Sequence, residues 1–251
     1  MHLLSGGRLV MPAHIYFPDA ARDETFELPV SCALFKHAQG NTLFDTGCHP
    51  DAAIDAEARW GVNAAYSPPI FSPEDAVTGQ LHHAGLVASD IDLVICSHLH
   101  YDHCGCNAFF AHATILCQAR EIAAARAANA VPQGYHANDW NVGLPIALID
   151  GEHDVFGDGR LTLIPLPGHT PGSMGAHAVF DADGNFLLAS DAVPVAATLH
   201  QGFVPKNTVD PDQFVESLAT VARFERDDAT ILFGHDDAQW RSVRTGADFY
   251  S

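Results

Sequence analysis

The chain has 251 residues, and its 31 Asp and Glu against 12 Lys and Arg give a formal net charge of -19. This charge argues against nucleic acid as a partner, because phosphate binding needs a basic face. No apolar run approaches the roughly 20 residues of a membrane helix, and the N-terminal residues lack the pattern of a signal peptide. The six cysteines are too few for a disulfide framework. We therefore expect a cytoplasmic protein without membrane association. With 47% hydrophobic residues and no interrupting linker, residues 1–251 are expected to form one domain.

Three helices are predicted along the chain. The first begins at Ser72, which forms a capping-box-like pattern with Asp75; the second is an alanine-rich surface helix over residues 118–129; the third begins at Asp210 and Pro211. The expected buried residues are Val77, Leu81 and Ala84 in the first helix and Phe214, Leu218 and Val221 in the third. Tight hairpin turns are expected at 158–159 and 183–184. This alternation of helix and strand signals indicates a layered α/β architecture with the sheets inside.

The densest group of potential metal ligands follows the apolar strand of residues 91–96. Three imidazoles and one carboxylate occur there within six positions: His98, His100, Asp102 and His103. Side chains alternate along an extended backbone, so His98 and His100 face the same side. Asp102 and His103 follow where the chain turns and can face a second point. Imidazole and carboxylate suit zinc, manganese, iron or cobalt, and this spacing predicts two divalent ions.

Three further candidate ligands each follow a short apolar strand. They are His169 in the turn of residues 167–172, Asp191 after residues 185–190, and His235 after residues 229–234. Strand ends that meet at one edge of a sheet would bring these side chains together with the first group. We therefore expect three histidines to hold one ion, histidines with Asp102 to hold the other, and Asp191 to be free to bridge them.

These motifs, in this order, resemble the metallo-β-lactamase superfamily. The sequences of residues 97–103, 44–47 and 167–172 are most similar to those of the N-acyl-homoserine lactonase family. The similarity extends from about Leu43 to the C-terminus. The resemblance implies an α/β fold, an αββα sandwich of two mixed β-sheets flanked by helices. It also implies an enzyme with a dinuclear centre, with zinc as the first expectation, that opens N-acyl-homoserine lactones and so interrupts bacterial signalling.

The expected chemistry follows from the pair of ions. Two divalent ions lower the pKa of a shared water from about 15.7 towards about 7. The reaction would then be attack of a metal-bridging hydroxide on a lactone carbonyl, with Asp102 and Asp191 placed to pass the proton. A serine nucleophile is disfavoured, because residues 172–175 miss the Gly-x-Ser-x-Gly spacing by one residue and no other serine has it.

One position departs from the lactonase pattern. The family usually has a tyrosine three residues after the bridging aspartate, where its phenol helps to hold the lactone carbonyl, but this chain has Pro194. Tyr101 and His200 are the nearest alternative donors by sequence. Alternatively, the tyrosine is missing because the substrate is a different lactone. The C-terminal residues 244–250 resemble those of the 4-pyridoxolactone hydrolases, and a γ-butyrolactone-type substrate is a further alternative.

Two other classes of protein share parts of this pattern. A glyoxalase II-like thioester hydrolase has the same ligand set, but it normally carries late basic residues for the carboxylates of glutathione, and only Arg241 and Arg244 are candidates here. A di-iron protein with a flavin domain is disfavoured, because no flavin domain fits into this length. The expected partner is a small-molecule lactone substrate, and a homodimer is left open.

Several residues around the ligands also have expected roles. Asp45 is expected to accept a hydrogen bond from a ligand imidazole. Cys104 and Cys106 are expected to pack rather than to bind metal, because the hard-donor site is already full. The aromatic segments at 16–17, 60–71 and 199–203 are candidates for the walls of an acyl pocket.

Overall fold

The computed structural model describes all 251 residues and contains eleven β-strands. They are β1 His2–Pro12, β2 Thr25–His37, β3 Gly40–Phe44, β4 Leu93–Ile95, β5 Thr114–Gln118, β6 Ile146–Ile149, β7 His153–Asp154, β8 Leu161–Pro165, β9 Met174–Phe180, β10 Gly184–Ser190 and β11 Thr230–Phe233. One sheet has the order β1-β2-β3-β4-β5-β6, and the other has the order β11-β10-β9-β8-β7.

Both sheets are mixed. In the first sheet, β1, β2 and β3 pair antiparallel, whereas β3, β4, β5 and β6 pair parallel. In the second sheet, β10 and β11 are parallel and the remaining pairs are antiparallel. Parallel neighbours need long crossover connections, and these connections carry the helices that cover the outer faces.

Nine α-helices and seven short 3-10 segments connect the strands. The helices are α1 Ala56–Trp60, α2 Asn63–Tyr66, α3 Val77–Gln80, α4 Tyr101–Cys104, α5 Ala119–Ala125, α6 Ala137–Trp140, α7 Ala196–Gln201, α8 Pro211–Arg226 and α9 Asp237–Trp240. The 3-10 segments are Ala13–Ile15, Pro50–Ala53, Pro73–Asp75, Leu81–Ala84, Ala88–Asp90, Asn107–Phe109 and Val131–Gln133. None of the helices combines the length and the apolar character that crossing a membrane requires.

Alternating strand residues build separate apolar layers. Phe186 and Leu188 of β10 point into the space between the sheets, where they join Phe44 and Ile95 of the first sheet. Leu187, between them in sequence, points outward and packs under α8. The outer face of the first sheet packs against α3 and α5 in the same way. The resulting αββα sandwich confirms the predicted fold class.

Helix α8 forms as the sequence predicts. The Asp210 carboxylate accepts a hydrogen bond from the backbone N–H of Gln213 at 3.1 Å, and Pro211 occupies the first turn. The predicted stripe of Phe214, Leu218 and Val221 is buried against the second sheet. The N-cap, the proline in the first turn and the spacing of the apolar residues all favour a helix here, so the local sequence is sufficient to predict α8.

Two other helix predictions need correction. The Ser72 and Asp75 cap forms, but the chain after it breaks at Ala76, whose ψ of 152° is extended, so a 3-10 turn and the short α3 replace one continuous helix. The predicted residues 118–129 form a helix only over Ala119–Ala125, since Gln118 belongs to β5 and Arg126 is already the C-cap. The turn at Asp183 and Gly184 joins β9 to β10, whereas residues 158–159 lie in a longer loop between β7 and β8.

Helix α8 also presses on the loop that carries His169. Gly168 has a φ of 137°, and a Cβ atom there would lie 2.4 Å from the Cα of Phe214. Backbone N–H groups of Val209 and Asp210 donate to the Gly168 carbonyl at 3.0 and 2.9 Å. Only glycine permits this backbone conformation and this approach.

Replacing Phe214 by alanine is expected to lower the free energy of unfolding by about 3–5 kcal/mol, because the ring is fully buried and its loss leaves a cavity under α8. Val215→Ala is the matched control, since the Val215 side chain is 53% exposed and should change stability by about 0.5 kcal/mol or less. Urea unfolding curves for both variants make the comparison. Equal stability losses would contradict the assigned core.

Candidate metal centre

Four chain segments bring the seven candidate ligands to one edge of the sandwich. The segment after β4 carries four of them, and one candidate follows each of β8, β10 and β11. Strand β9 pairs antiparallel with both β8 and β10, so these two run in the same direction, and β11 runs parallel to β10. Their carboxyl ends therefore lie on the same side of the sheet.

His98, His100 and His169 form the first group of candidate ligands. The Nε2 atoms of His98 and His169 each lie 3.1 Å from Nδ1 of His100. Lone pairs of neutral imidazoles repel at this distance, so a proton or a metal ion between the rings stabilises the arrangement. The group therefore has the geometry of a cation site.

Asp102, His103 and His235 form the second group. Oδ2 of Asp102 lies 3.7 Å from Nε2 of His103 and 3.9 Å from Nε2 of His235. Both imidazoles are buried, whereas the Asp102 side chain is 14% exposed. The second group therefore has one candidate ligand in contact with solvent and two that are enclosed by protein.

The carboxylate of Asp191 lies between the two groups. Its Oδ1 atom is 3.1 Å from Nε2 of His103 and 2.9 Å from Nε2 of His235, and its Oδ2 atom is 3.3 Å from Nε2 of His169. Nε2 of His103 and Oδ1 of Asp191 are buried and make no hydrogen bond. Nitrogen and oxygen donors in this arrangement fit two divalent ions of borderline hardness.

The first group has the protonation state that a metal site needs. Burial lowers the pKa of His98 and His100 well below the usual imidazole value, and neighbouring imidazoles lower it further. Burial also lowers the pKa of His169. Metal ions bind the neutral ring, so these three nitrogens need no deprotonation at neutral pH.

The second group is dominated by negative charge. Burial lowers the pKa of His103 and His235, but the charge of Asp191 outweighs it and leaves both values raised. Conversely, burial raises the pKa of Asp191, but His235, His103 and His169 outweigh it and hold that pKa well below its usual range. Asp191 is therefore ionised, and the surrounding positive charge has to come from protons or from metal.

Asp45 fixes the orientation of His103. Its Oδ2 atom accepts a hydrogen bond from Nδ1 of His103 at 2.8 Å, and Ser97 donates to the same carboxylate through its backbone N–H and its hydroxyl, both at 2.7 Å. His235 is held similarly, because its Nδ1 donates to the Pro29 carbonyl at 2.9 Å. In both rings Nε2 is left facing the other ligands. The expected contact of Asp45 with a candidate ligand is present.

Glu121 joins two of the ligand-bearing loops. Its carboxylate accepts hydrogen bonds from the backbone N–H of Leu99 at 3.0 Å, from the hydroxyl of Thr170 at 2.8 Å and from the backbone N–H of Gly172 at 2.9 Å. Leu99 lies between His98 and His100, and Thr170 follows His169. The alanine-rich sequence around Glu121 gives no signal for this role, because the contacts depend on segments distant in sequence.

A cavity of about 410 Å³ opens over the candidate ligands. Its wall includes His100, Asp102, His169 and Asp191 together with apolar residues of the first two strands, Leu9, Met11 and Leu28. Tyr16 and Tyr66, from two of the segments predicted to line a pocket, are present in the wall. Residues 199–203 are absent from it, whereas Asn207 and Val209 are part of it.

Comparison with known proteins identifies the family. A sequence model of the metallo-beta-lactamase superfamily matches residues 25–235. The chain belongs to this superfamily. The N-acyl homoserine lactonase AttM of Azorhizobium caulinodans is 29% identical to it, with 100% of this chain and 98% of the relative covered. The N-acyl homoserine lactonase AiiA of Bacillus thuringiensis subsp. kurstaki is 26% identical, with 99% and 98% covered.

Solved structures of the superfamily support the same relationship. An N-acyl homoserine lactone hydrolase with the product N-hexanoyl-L-homoserine bound at its catalytic metal centre has a TM-score of 0.88 and 26% identity, covering 100% of this chain and 98% of that one. A mutant of B. thuringiensis AiiA with N-decanoyl-L-homoserine at its active site has a TM-score of 0.89 and 25% identity, with the same coverage. The predicted resemblance to this superfamily and its lactonases is confirmed.

The position of the usual lactonase tyrosine is part of the protein interior here. Pro194 is buried, and its carbonyl accepts a hydrogen bond from the backbone N–H of His235 at 2.7 Å. His200, one of the two donors considered from the sequence, lies outside the cavity wall, with Nε2 3.0 Å from Oε1 of Glu225. Tyr101, the other, lines the cavity and hydrogen-bonds to Ser67.

The cysteines beside the ligand segment are interior residues. Cys104 and Cys106 are fully buried, and neither belongs to a group of side chains that converges on a cation site. Burial raises the pKa of both thiols, so neither forms a thiolate at neutral pH. Their position agrees with the expected packing role.

Replacing Glu121 by glutamine is expected to lower the free energy of unfolding by about 1–3 kcal/mol, because an amide cannot accept all three hydrogen bonds and leaves at least one buried donor unpaired. The loops of His98, His100 and His169 would loosen, so zinc affinity should fall about 10- to 100-fold. Unfolding curves and competition with a chromophoric chelator measure the two effects.

Glu216→Gln is the control for this variant, since Glu216 is exposed on α8 and distant from the ligands in sequence. It should leave stability and zinc affinity unchanged. Wild-type zinc affinity in the Glu121→Gln protein would contradict the role assigned to Glu121.

Proposed function

We propose that this protein is a dinuclear metal-dependent lactonase, a single hydrolase domain of residues 1–251 that opens the ring of N-acyl-homoserine lactones and so interrupts bacterial signalling. One observation carries the proposal: two groups of three ligands share the buried carboxylate of Asp191 at the floor of a cavity. Relatives that match this chain over nearly their full length are N-acyl homoserine lactonases, which supports the choice of substrate.

The proposed metal ligands divide as the two groups do. His98, His100 and His169 hold one ion, and Asp102, His103 and His235 hold the other, with Asp191 as the shared ligand. Zinc is the proposed metal, because histidine and carboxylate ligands with an open face suit catalytic zinc; manganese, iron and cobalt accept the same donors.

When bound, two such ions supply a hydroxide at neutral pH and polarise the lactone carbonyl. The protein holds the surrounding groups in place for that reaction. Asp102 is the ligand that lies at the cavity wall with part of its side chain exposed, so it can accept a proton and return it to the oxygen that leaves the ring. Asp191 is enclosed by three imidazoles and keeps the two ligand groups together.

The walls of the cavity favour a substrate with an acyl chain. Leu9, Met11, Leu28 and Val209 line it above a floor of charged ligands, so a polar ring can lie on the floor while an apolar chain lies against the wall. The C-terminal residues 244–250, whose sequence resembles the C-terminus of the 4-pyridoxolactone hydrolases, do not line this cavity. Acyl-homoserine lactones therefore fit better than the other lactones considered.

A thioester hydrolase of the glyoxalase II kind is less favoured. No lysine or arginine side chain lines the cavity, so the carboxylates of glutathione would have no basic partner there. Arg241 is paired with Asp237 at 2.7 Å and Arg244 with Asp183 at 2.7 Å, both outside the cavity wall. The six cysteines are all unpaired, which supports a cytoplasmic location for the proposed enzyme.

The proposal is tested by turnover of a substrate panel. Protein loaded with zinc, manganese or cobalt is assayed on short- and long-chain acyl-homoserine lactones, γ-butyrolactone, 4-pyridoxolactone and S-lactoylglutathione. We expect the largest kcat/KM for an acyl-homoserine lactone, because only these substrates use both the charged floor and the apolar wall. Cleavage of the thioester alone would overturn the lactonase proposal.

Replacing His103 by alanine is expected to remove one ion per chain and most lactone turnover, because the second group then keeps too few ligands. Metal content measured by mass spectrometry on the folded variant gives the stoichiometry, and circular dichroism verifies the fold. His112→Ala serves as control, since His112 is an exposed histidine outside both ligand groups. Retention of two ions by the His103→Ala protein would contradict the ligand assignment.

A further inference from the structure

Tyr16 presents a phenol to the cavity that contains the proposed ligands. It lies directly after the 3-10 segment Ala13–Ile15 and lines the cavity together with Asp102 and Asp191. Its side chain is 3% exposed, and its ring packs edge-on against Phe26 with 5.3 Å between the centroids. Burial, followed by the charges of Asp191 and Asp102, raises the pKa of Tyr16 well above its usual value. The phenol is therefore held in place and keeps its proton.

The proton of Tyr16 is free to be donated. The side-chain amide of Asn207 donates a hydrogen bond to the phenol oxygen at 3.3 Å, and this is the only hydrogen bond that the hydroxyl makes with the protein. An amide N–H can only donate, so the phenol is the acceptor in this contact. Its own O–H is left to point into the cavity.

Tyr101, the other buried tyrosine of the cavity, already uses its hydroxyl in a hydrogen bond with Ser67. The hydroxyl of Ser67 donates to the carbonyl of Asn63 at 3.4 Å, which uses its only proton. In the contact between Ser67 and Tyr101, the donor must then be Tyr101. Tyr66 also lines the cavity, but its side chain is 44% exposed to solvent. Tyr16 is the buried tyrosine of the cavity with an unused donor.

Asn207 is fixed between the two loops that it connects. The backbone N–H of Lys206 donates to the Ile15 carbonyl at 3.1 Å, next to Tyr16, and the backbone N–H of Val209 donates to the Gly168 carbonyl at 3.0 Å, next to His169. These bonds on both sides hold the backbone around Asn207 next to Tyr16 and next to the loop of His169.

We propose that Tyr16 is a catalytic residue that donates a hydrogen bond to the carbonyl oxygen of the lactone, and that Asn207 is a positioning residue that fixes the direction of this bond. The inference rests on the proposed lactone hydrolysis. When hydroxide adds to the carbonyl carbon, the π-electron pair moves onto the carbonyl oxygen, which becomes an anion and a stronger acceptor. The bond from Tyr16 therefore strengthens in the transition state and acts mainly on kcat.

The decisive variants are Tyr16→Phe, Asn207→Asp and their combination, each assayed on N-hexanoyl-homoserine lactone with metal content measured on the same samples. Tyr16→Phe keeps the ring but removes the donor, so kcat should fall roughly 10- to 100-fold while KM changes little. Asn207→Asp substitutes an acceptor for the amide donor, which draws the phenol proton away from the cavity and should cause a loss of similar size. In the double variant the loss should not increase further.

Binding of the ring-opened product N-hexanoyl-homoserine to zinc-loaded protein, measured by calorimetry, provides a readout without turnover. Tyr16→Phe should weaken it, because the product carboxylate contains the former carbonyl oxygen. Tyr250→Phe is the control, since that hydroxyl lies outside the cavity and accepts a hydrogen bond from the backbone N–H of Arg244 at 3.0 Å.

Three results would overturn the inference, each in a different way. Wild-type kcat and wild-type product binding in the Tyr16→Phe protein, with full metal content, would remove Tyr16 from the reaction but leave the proposed function intact. Additive losses in the double variant would show that Asn207 does not act through the phenol. A wild-type protein that opens no lactone would instead overturn the proposed function, and this inference with it.

Discussion

The site depends on one buried anion. The carboxylate of Asp191 lies within 3.3 Å of imidazoles from three other segments, those of His103, His169 and His235. His103 follows a strand of the first sheet, whereas the other two follow strands of the second. A buried carboxylate is costly unless positive charge surrounds it. The two sheets therefore meet around a charge that neither of them could bury alone.

Two further buried carboxylates, those of Asp45 and Glu121, hold the candidate ligands in place through hydrogen bonds. Asp45 holds His103, and Glu121 holds the loops of His100 and His169. Each accepts three hydrogen bonds from the protein, which compensates for the loss of water. Part of the acidic composition is therefore internal and structural, in addition to the charge on the surface.

The fold and the ligand groups could be predicted where the signal is local. The four ligands between His98 and His103 are visible because they are close in sequence, and α8 is visible because its cap and its apolar period agree. The continuous helix expected after Ser72 does not form, because the backbone is extended at Ala76 and divides the segment into a 3-10 turn and a short helix. Glu121 and Asn207 could not be found, since their contacts span 49 and 191 residues and leave no periodic pattern.

Helix α8 packs directly against the loop that carries His169, so the position of this imidazole depends on the packing of the outer helical layer. Gly168 has no room for a side chain next to Phe214, and the hydroxyl of Ser217 donates to the Pro167 carbonyl at 2.6 Å. Close-packed interiors transmit small displacements, so a helix that shifted to accommodate a larger residue would carry the imidazole with it. Stability and turnover can therefore hardly evolve separately in this part of the protein, and substitutions beneath α8 should be accepted mainly in compensating pairs.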